Sequence, residues 1–339
     1  MKTIAVEHAV GTVLCHDITR IVPGGEKGPA FRRGHVVREE DIPVLLDIGK
    51  ANLYVFDPAD GYVHEDTAAV RLARAAAGQG IAFSDPQEGK VTLSAERDGL
   101  LCIDVDGLER LNSIEDVSFG TIHRHQRVKH GRVLAGTRVI PLVVPEELLV
   151  QAEAVCAEHR PIIEVKPLRS AKVGVVTTGS EIFHGRIKDG FGPLLRAKFD
   201  DLGSEVVDQV FVSDIVGLTA DAITSLVRQG ADFIAVTGGM SVDPDDQTPA
   251  AIRATGAEVV SYGAPTYPGA MFMLAWLGDV PVLGLPGCVM YYKASIFDLV
   301  VPRLLAGERL TRRDIVALGH GGLCENCGTC RYPACGFGK

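Results

Sequence analysis

The last sixteen residues of the chain carry four cysteines whose spacing suits a metal centre. They are Cys324, Cys327, Cys330 and Cys335, in the pattern C-x2-C-x2-C-x4-C. Three thiolates at two-residue intervals can surround one metal centre without ligands from distant parts of the chain. The pattern therefore predicts an iron–sulfur cluster or a Zn²⁺ ion, and the alternative is a tail whose thiols have no role.

A second candidate site is the segment Thr237–Pro249, which reads TGGMSVDPDDQTP. Gly238 and Gly239 allow another group to approach the backbone closely. Main-chain N–H groups in such a loop, followed by a helix, can hold an anion such as a phosphate. The glycines therefore predict a phosphate-binding loop.

The same segment carries three carboxylates within four residues, those of Asp243, Asp245 and Asp246. Such crowding suits a hydrated Mg²⁺ ion that assists a reaction at a phosphate or an oxyanion. The alternative is that Asp246 and Thr248 only cap the helix that begins near Pro249.

Two further groups are weaker candidates. His123–His130, HRHQRVKH, concentrates three histidines and three basic residues, so it can bind an oxyanion, a phosphate or a metal, or it is only a solvated edge. Cys288 follows Gly287 at a predicted helix start, where the positive helix end lowers the pKa of a thiol. The alternative for Cys288 is a buried, unreactive thiol.

The second half of the chain contains the elements that would position these loops. Apolar strands alternate with helices, which predicts a doubly wound, mostly parallel sheet with ligands at the carboxyl ends of its strands. The predicted strands are Lys172–Thr178, Glu205–Val212, Asp232–Thr237 and Val280–Leu285. The predicted helices span about 191–202, 219–228, 249–255 and 288–305.

The first half mixes short strands and helices without a dominant pattern and is predicted to be α+β. It includes an alanine-rich helix over Glu65–Ala77 and two extended runs around Asp98 and Gly99, which predict a hairpin. The predicted organisation is therefore an α+β region over residues 1–166, an α/β domain over 167–312 and a Gly/Cys-rich tail over 313–339.

Composition and charge exclude other classes of protein. The 34 Lys and Arg residues against 43 Asp and Glu give a formal net charge of −9, which argues against a nucleic-acid partner. The apolar stretches are shorter than the ~20 residues of a membrane helix, and no secretion signal is visible. The four remaining cysteines are scattered singly, as in a reducing compartment, so a cytoplasmic protein is predicted. They are Cys15, Cys102, Cys156 and Cys288.

TTGSE, GGMSVDPDDQTP and an LPG run that opens a helix occur in the order and spacing of one known family. Residues 172 to about 306 resemble the molybdopterin-binding domain shared by molybdopterin molybdotransferases, molybdopterin adenylyltransferases, gephyrin and the competence-damage-inducible proteins. TGSE matches the family's T-G-[DNS]-E loop, and PDDQTP resembles the D-x-T-P of the adenylyltransferases. The first half is similar to the N-terminal segments of molybdotransferases, for example at Gly11–Ile18 (GTVLCHDI).

The resemblance implies a site for the dithiolene and terminal phosphate of molybdopterin at the carboxyl edge of the sheet. It assigns cofactor binding to Thr178, Gly179, Ser180, Glu181, Gly238, Gly239, Ser241, Asp243, Thr248, Pro286 and Gly287. If the chain is an enzyme, the resemblance assigns catalysis to Glu181, Asp245 and Asp246. Asp246 takes the family's acidic position, which assists nucleotide transfer or metal insertion.

The sequence also departs from the molybdotransferase pattern. It has no S-x-M-D-G-Y-A run in its first half. The family's P-G-K-P reads PGAM at Pro268–Met271, so that Ala270 replaces a phosphate-binding lysine, and L-P-G-N-P reads LPGCV, with Cys288 in place of an amide. Despite these departures, the sequence still predicts that the chain binds a pterin. They leave open which function this binding serves.

Three functions agree with the resemblance. In the first, a molybdotransferase-like enzyme binds molybdopterin or its adenylate with Mg²⁺ and inserts molybdate or tungstate. In the second, a non-catalytic carrier holds the finished cofactor for a molybdoenzyme, and the cysteine tail docks a partner or senses the redox state. The third is a Mg²⁺-dependent nucleotide pyrophosphatase. A homodimer is expected, because the relatives place the pterin site near a dimer interface.

Overall fold

The computed structural model describes residues 2–21, 27–55 and 61–339. The chain forms two compact units. The N-terminal unit comprises Met1–Glu96, Ile103–Ile122 and Gly131–Glu164, and the C-terminal unit comprises Arg97–Cys102, His123–His130 and Val165–Lys339. The boundary near residue 166 and the separate tail from residue 313 stay predictions about domain organisation. None of the helices among the described residues has the length and apolar character needed to span a bilayer.

Short elements make up the chain before residue 167. The helices are α1 (Asp41–Asp47), α2 (Glu65–Ala76), α3 (Val105–Asn112) and α4 (Glu146–Glu158), with a 3-10 turn at Val6–His8. The strands are β1 (Lys2–Ala5), β2 (Ile18–Ile21), β3 (Lys27–Phe31), β4 (Asn52–Val55), β5 (Tyr62–His64), β6 (Ile81–Phe83), β7 (Val91–Ala95), β8 (Gly99–Ile103), β9 (Val117–Thr121), β10 (Arg127–Val128), β11 (Val133–Val139), β12 (Val143–Pro145) and β13 (Ile163–Lys166).

Longer elements follow residue 167. The strands are β14 (Lys172–Thr178), β15 (Glu205–Val212), β16 (Phe233–Thr237), β17 (Glu258–Tyr262), β18 (Met273–Leu277) and β19 (Val280–Leu285). The helices are α5 (Ser180–Phe183), α6 (Phe191–Asp201), α7 (Val216–Arg228), α8 (Thr248–Ala254), α9 (Cys288–Tyr291), α10 (Ile296–Leu305) and α11 (Arg312–Ala317).

Helix α2 packs against several other elements of the N-terminal unit. Its carboxylates in the first turn favour the positive helix end, and the His64 side chain accepts a hydrogen bond from the Asp66 N–H. The buried face is formed by small side chains, which lets α2 pack closely on α4 and β11. Arg71 of α2 forms ion pairs with Glu146 and Glu153 of α4, each at 2.8 Å. The alanine-rich sequence therefore forms the helix that it predicts.

A six-stranded sheet in the order β15-β14-β16-β19-β18-β17 forms the centre of the C-terminal unit. The first four strands are parallel, and β18 and β17 extend the sheet with antiparallel pairs. Strands buried on both faces need apolar side chains throughout, and β14 and β16 are buried along almost their whole length.

Helices cover both faces of this sheet. On one face, Leu195 and Phe199 of α6 pack with Phe297 of α10, and the Phe199 ring lies edge-on to the Phe297 ring at 5.2 Å. On the other face, Ile223 of α7 and Ile252 of α8 pack on the same sheet. The predicted fold class, a doubly wound and mostly parallel α/β sheet, is confirmed.

Two local predictions are wrong. The single helix over 288–305 is two helices, because the side chain and backbone of Ser295 and those of Asp298 form a reciprocal capping box that starts α10. The hairpin around Asp98 and Gly99 does not form: among the described strands, β7 pairs with β6 and β11, whereas Gly99 and Leu100 of β8 pair with β10. The Asp98 carboxylate instead accepts hydrogen bonds from Lys129 and the His130 N–H, each at 2.8 Å.

The tail is folded against the C-terminal unit. The Cys324 N–H donates to the Tyr267 carbonyl at 2.8 Å, and the Tyr267 N–H donates to the Gly322 carbonyl at 2.7 Å, so the tail pairs with the loop between β17 and β18. Phe337 is buried in the core between the sheet and α10. The Tyr332 hydroxyl donates to the Asp298 carbonyl at 2.9 Å. Backbone pairing and buried aromatic rings therefore hold the tail in place.

Candidate functional site

A cavity of about 720 Å³ opens at the carboxyl ends of β16 and β19, and we call it the sheet-edge cavity. It is lined by the loop after β16, the loop between β17 and β18, the end of β19 with the loop that follows it, and the tail, together with the first residue of α6 and the residue after α9. Its lining comprises Phe191, Gly238, Gly239, Met240, Ser241, Asp246, Tyr267, Pro268, Gly269, Ala270, Met271, Leu285, Pro286, Gly287, Cys288, Tyr292, Leu323, Cys324 and Asn326. Ligands of doubly wound sheets bind at this edge.

The glycine pair after β16 shapes the floor of the cavity. Gly238 and Gly239 have φ of +86° and +56°, a left-handed conformation that other residues adopt at a cost in energy. A Cβ atom on Gly238 would overlap the carbonyl oxygen of Thr178. Among the described residues, the backbone N–H groups of Met240 and Ser241 donate no hydrogen bond within the protein. The loop can therefore offer main-chain donors to an anion.

Thr248 holds this loop in place. Its buried hydroxyl donates to the Gly238 carbonyl at 2.8 Å, and its N–H donates to the Gly239 carbonyl at 3.2 Å. The residue that caps α8 is Gln247, which makes no side-chain capping bond. Thr248 therefore stabilises the loop through these two hydrogen bonds and is not itself part of the cavity lining.

The three aspartates have different positions. Asp246 is half-buried and is the only carboxylate among the described residues that lines the sheet-edge cavity. Its side chain accepts from the Asp243 N–H at 2.9 Å, which closes a turn and does not cap α8. Asp243 and Asp245 are exposed and lie outside the lining.

No preformed metal site accompanies these residues. In the parts of the chain that the structure describes, no three His, Cys, Asp or Glu side chains are grouped so that they could hold a metal ion. Of the three aspartates, Asp246 lines the cavity, whereas Asp243 and Asp245 are exposed and lie outside it, so the expected Mg²⁺ site stays a prediction. The metal centre that the cysteine spacing predicts in the tail stays a prediction.

The TGSE loop after β14 is the part that the structure does not bring to the cavity. Gly179 has φ of +142° and turns the chain, so that the Ser180 N–H donates to the Asp214 carboxylate at 2.7 Å. The Ser180 hydroxyl lies 3.2 Å from that of Ser213, and Glu181 is exposed. Thr178 is buried beneath Gly238. The ligand-binding roles of Thr178, Gly179, Ser180 and Glu181 stay predictions.

The loop after β19 contributes Pro286, Gly287 and Cys288 to the cavity. Burial raises the pKa of the Cys288 thiol, although the N–H groups of Cys288 and Val289 oppose this shift. The helix α9 that follows has only four residues, so its N-terminal field is weak. Of the two alternatives for Cys288, the raised pKa favours the unreactive thiol over an activated thiolate.

Several lining residues carry no signal in the sequence. Phe191 begins α6, Tyr267 and Met271 lie in the loop between β17 and β18, and Tyr292 follows α9. The tail residues Leu323, Cys324 and Asn326 complete the wall. Aromatic residues in loops after strands are a general sign of ligand contact, but the return of the tail to this edge depends on tertiary pairing.

Two basic residues of the segment His123–His130 form ion pairs with carboxylates, and an anion-binding role for the segment stays a prediction. Arg127 pairs with Asp201 at 2.6 Å, and Lys129 pairs with Asp98 at 2.8 Å. His125 lies 3.9 Å from Glu308, whose carboxylate is bound by Arg303 at 2.7 Å. The cations of Arg127 and Lys129 are thus neutralised by neighbouring carboxylates of the same unit.

Acidification is expected to destabilise the C-terminal unit through His125. Burial of the ring, together with the nearby Arg303 and Arg124 cations, lowers its pKa to about 3. The unfolded chain binds this proton near pH 6.5, so the stabilisation is complete above that pH and is lost as the pH falls toward 3, by up to about 4 kcal/mol. Urea unfolding across this range tests the prediction. His125→Gln should flatten this part of the pH profile, and an unchanged slope would contradict the assignment.

Comparison with known proteins supports the assignment of this region. Residues 174–306 match the sequence profile of a family described as "Probable molybdopterin binding domain", and residues 3–57 match a family described only as a domain of unknown function. A molybdopterin molybdenumtransferase from Staphylococcus aureus (strain COL) is 29% identical over 131 residues, which cover 37% of this chain and 31% of that protein. The resemblance of residues 172–306 to the molybdopterin-binding domain is confirmed.

Other relatives also match part of the chain. A CinA-like protein from Mycobacterium sp. (strain MCS) is 32% identical over 92 residues, 27% of this chain and 22% of that protein. The chain thus spans about a third, or less, of the length of these curated relatives. Among solved structures, the tungsten cofactor synthesizing protein MoaB from Pyrococcus furiosus is 23% identical, with 42% of this chain and 98% of that chain covered and a TM-score of 0.35. The molybdopterin biosynthesis enzyme MoaB from Thermus thermophilus is 20% identical, with coverages of 41% and 98% and a TM-score of 0.33.

Proposed function

We propose that the chain binds molybdopterin in the sheet-edge cavity and inserts molybdate or tungstate during cofactor maturation. One observation carries the proposal: the cavity of about 720 Å³ is built from the loops after β16 and β19, within the segment that matches the molybdopterin-binding family. Cavities of this size suit a ligand with a fused ring and a phosphate.

The lining provides separate surfaces for the parts of such a ligand. The backbone N–H groups of Met240 and Ser241 and the Ser241 hydroxyl are donors suited to a terminal phosphate. Phe191, Tyr267 and Tyr292 offer aromatic faces to a flat pterin. The lining residue Ala270 brings no charge, so main-chain donors replace the lysine of related molybdotransferases as the phosphate contact in this proposal.

Asp246 is assigned the proton-transfer role. Insertion forms two metal–sulfur bonds to the dithiolene and breaks one metal–oxygen bond of the oxyanion, and the released oxygen leaves as water with the two protons that the thiols give up, so these protons must be moved from sulfur to oxygen. Because Asp246 is the only described carboxylate in the cavity lining, it is the group placed to deliver them. Glu181 and Asp245 lie outside the lining, so any catalytic role of theirs would begin only after a ligand binds.

Asp246→Asn is expected to separate binding from insertion. The amide keeps the shape of the side chain and cannot donate a proton as an acid does, so pterin retention should persist while insertion of molybdate slows about 100-fold or more. Pterin is measured by fluorescence chromatography after oxidation of anaerobically purified protein, and insertion by the appearance of Mo on bound pterin. Asp221→Asn, at an exposed position of α7 outside the cavity, is the matched control.

The outcomes distinguish the candidate functions. A wild-type chain that retains no pterin, even from a host that accumulates the cofactor precursor, would overturn the proposal and favour the nucleotide pyrophosphatase. Retention of cofactor with no insertion by the wild type would favour the carrier, which the uncharged Ala270 in the cavity wall also supports. Dependence on Mg²⁺, delivery to a molybdoenzyme and a homodimeric state stay predictions of the proposal.

A further inference from the structure

All four tail cysteines line one second cavity. This cysteine cavity has a volume of about 570 Å³, and Cys324, Cys327, Cys330 and Cys335 are all part of its wall. Each is a free thiol, and none of them forms a disulfide. Four thiols from twelve residues of chain therefore line a single cavity.

Two of these thiols pack against the core, and the other two are exposed. Cys324 and Cys335 are partly buried and pack against the hydrophobic core of the C-terminal unit. Cys327 and Cys330 are exposed on the turn that follows Asn326, which has φ of +50°. The wall of the cavity thus has a partly buried inner pair of thiols and an exposed outer pair.

Positive charge lies beside the thiols. Lys293 and Arg331 line the cavity, with Glu325 as the one carboxylate in its lining among the described residues. Four thiolates bound to a metal centre carry a net negative charge, and neighbouring cations stabilise such a charge. The composition of the wall therefore favours a thiolate-ligated centre over a cationic ligand.

The arrangement favours a polynuclear centre over one metal ion. A tetrahedral Zn²⁺ site has Zn–S bonds of about 2.3 Å, which bring its four sulfurs to within about 4 Å of each other. In the part of the chain that the structure describes, no three candidate ligands are grouped to hold a metal ion, so the spacing of the cysteines decides between the two centres. Three cysteines at two-residue intervals followed by a fourth resemble the ligands of cluster-binding ferredoxins, whereas zinc sites generally pair their ligands two and two. An iron–sulfur cluster holds its four thiolates farther apart, because each cysteine binds a different iron of the cluster. We propose that the four tail cysteines bind a four-iron iron–sulfur cluster.

The cluster site shares a wall with the sheet-edge cavity. Tyr292, Leu323, Cys324 and Asn326 line both cavities. The hydrogen bond between Cys324 and Tyr267 joins the inner cysteine directly to the loop that borders the sheet-edge cavity. A cluster in the cysteine cavity would therefore lie beside any ligand at the sheet edge, although the cluster proposal does not depend on the identity of that ligand.

Reconstitution of the full chain tests the proposal. Anaerobic incubation with ferrous iron, sulfide and a thiol reductant should give bound iron and acid-labile sulfide in equal amounts and a broad visible absorption band. Cys327→Ser and Cys330→Ser should each lose this band and at least tenfold of the bound iron. Cys288→Ser, which changes a thiol in the sheet-edge cavity only, should keep both.

Other results would overturn the proposal. One is stoichiometric binding of Zn²⁺ from ZnCl₂ alone that blocks cluster assembly, and another is full thiol reactivity of all four tail cysteines after the iron and sulfide treatment. Gly239→Ala provides the second readout, because it disturbs only the glycine loop. It should bind the cluster normally even if pterin retention is lost, so failure of the cluster and failure of pterin binding can be told apart.

Discussion

Replacement of Gly238 by alanine is expected to abolish ligand retention in the sheet-edge cavity and to destabilise the C-terminal unit by about 2–5 kcal/mol. At φ of +86°, an alanine costs roughly 1–2 kcal/mol in backbone conformation alone. The new methyl group would also overlap the Thr178 carbonyl oxygen, and the adjustment of a packed interior to such an overlap costs about 1–3 kcal/mol more.

Urea unfolding and pterin retention measure the two parts of this effect. Gly217→Ala is the matched control, because Gly217 lies in α7, has open space where a methyl group would be added and does not have a left-handed backbone. Alanine is favoured over glycine in a helix, so this control should be neutral or more stable by about 0.5–1 kcal/mol. Equal stability of the Gly238→Ala variant and the wild type would show that the loop does not need the conformation described.

Arg303→Met is expected to destabilise the C-terminal unit by about 3–5 kcal/mol. The Arg303 side chain is only 8% exposed and binds the carboxylates of Glu308 and Asp314 at 2.7 and 2.9 Å. Removal of the guanidinium leaves both carboxylates in a partly buried site without their cation, which is far more harmful than loss of a surface pair. The measurement is the free energy of unfolding from urea titration at neutral pH.

The control for Arg303 is an exposed ion pair in the same unit. Arg169 pairs with Asp232 at 3.3 Å, with side chains that are 40% and 46% exposed. Arg169→Met should therefore change the free energy of unfolding by less than about 1 kcal/mol. Similar losses in the two variants would mean that the burial of Arg303 does not govern its contribution.

The sheet of the C-terminal unit could be predicted because its strands have a simple signature. Lys172–Thr178, Glu205–Val212 and Val280–Leu285 form strands with the predicted bounds, since short apolar runs between turn-forming residues leave few alternatives. Strands β17 and β18 were not predicted. The run around Met273 and Trp276 is apolar throughout, and such a run does not distinguish a buried strand from other core segments.

The candidate site could be predicted only in part. The glycine loop and the Pro286–Gly287 loop lie at the cavity because they directly follow central parallel strands. The TGSE loop also follows a central strand, but Gly179 turns the chain so that Ser180 bonds Asp214, a partner that no local pattern indicates. The contribution of the tail depends on its pairing with Tyr267, which is distant in sequence.

The pairing of Tyr267 with the tail has a thermodynamic consequence. The two backbone hydrogen bonds between Tyr267 and the tail lie beside both the sheet-edge cavity and the cysteine cavity. A ligand that binds in one cavity and orders this backbone pairing reduces the conformational entropy that the protein loses when a second ligand binds in the other cavity. Any such coupling is reciprocal, so each ligand raises the affinity for the other by the same factor.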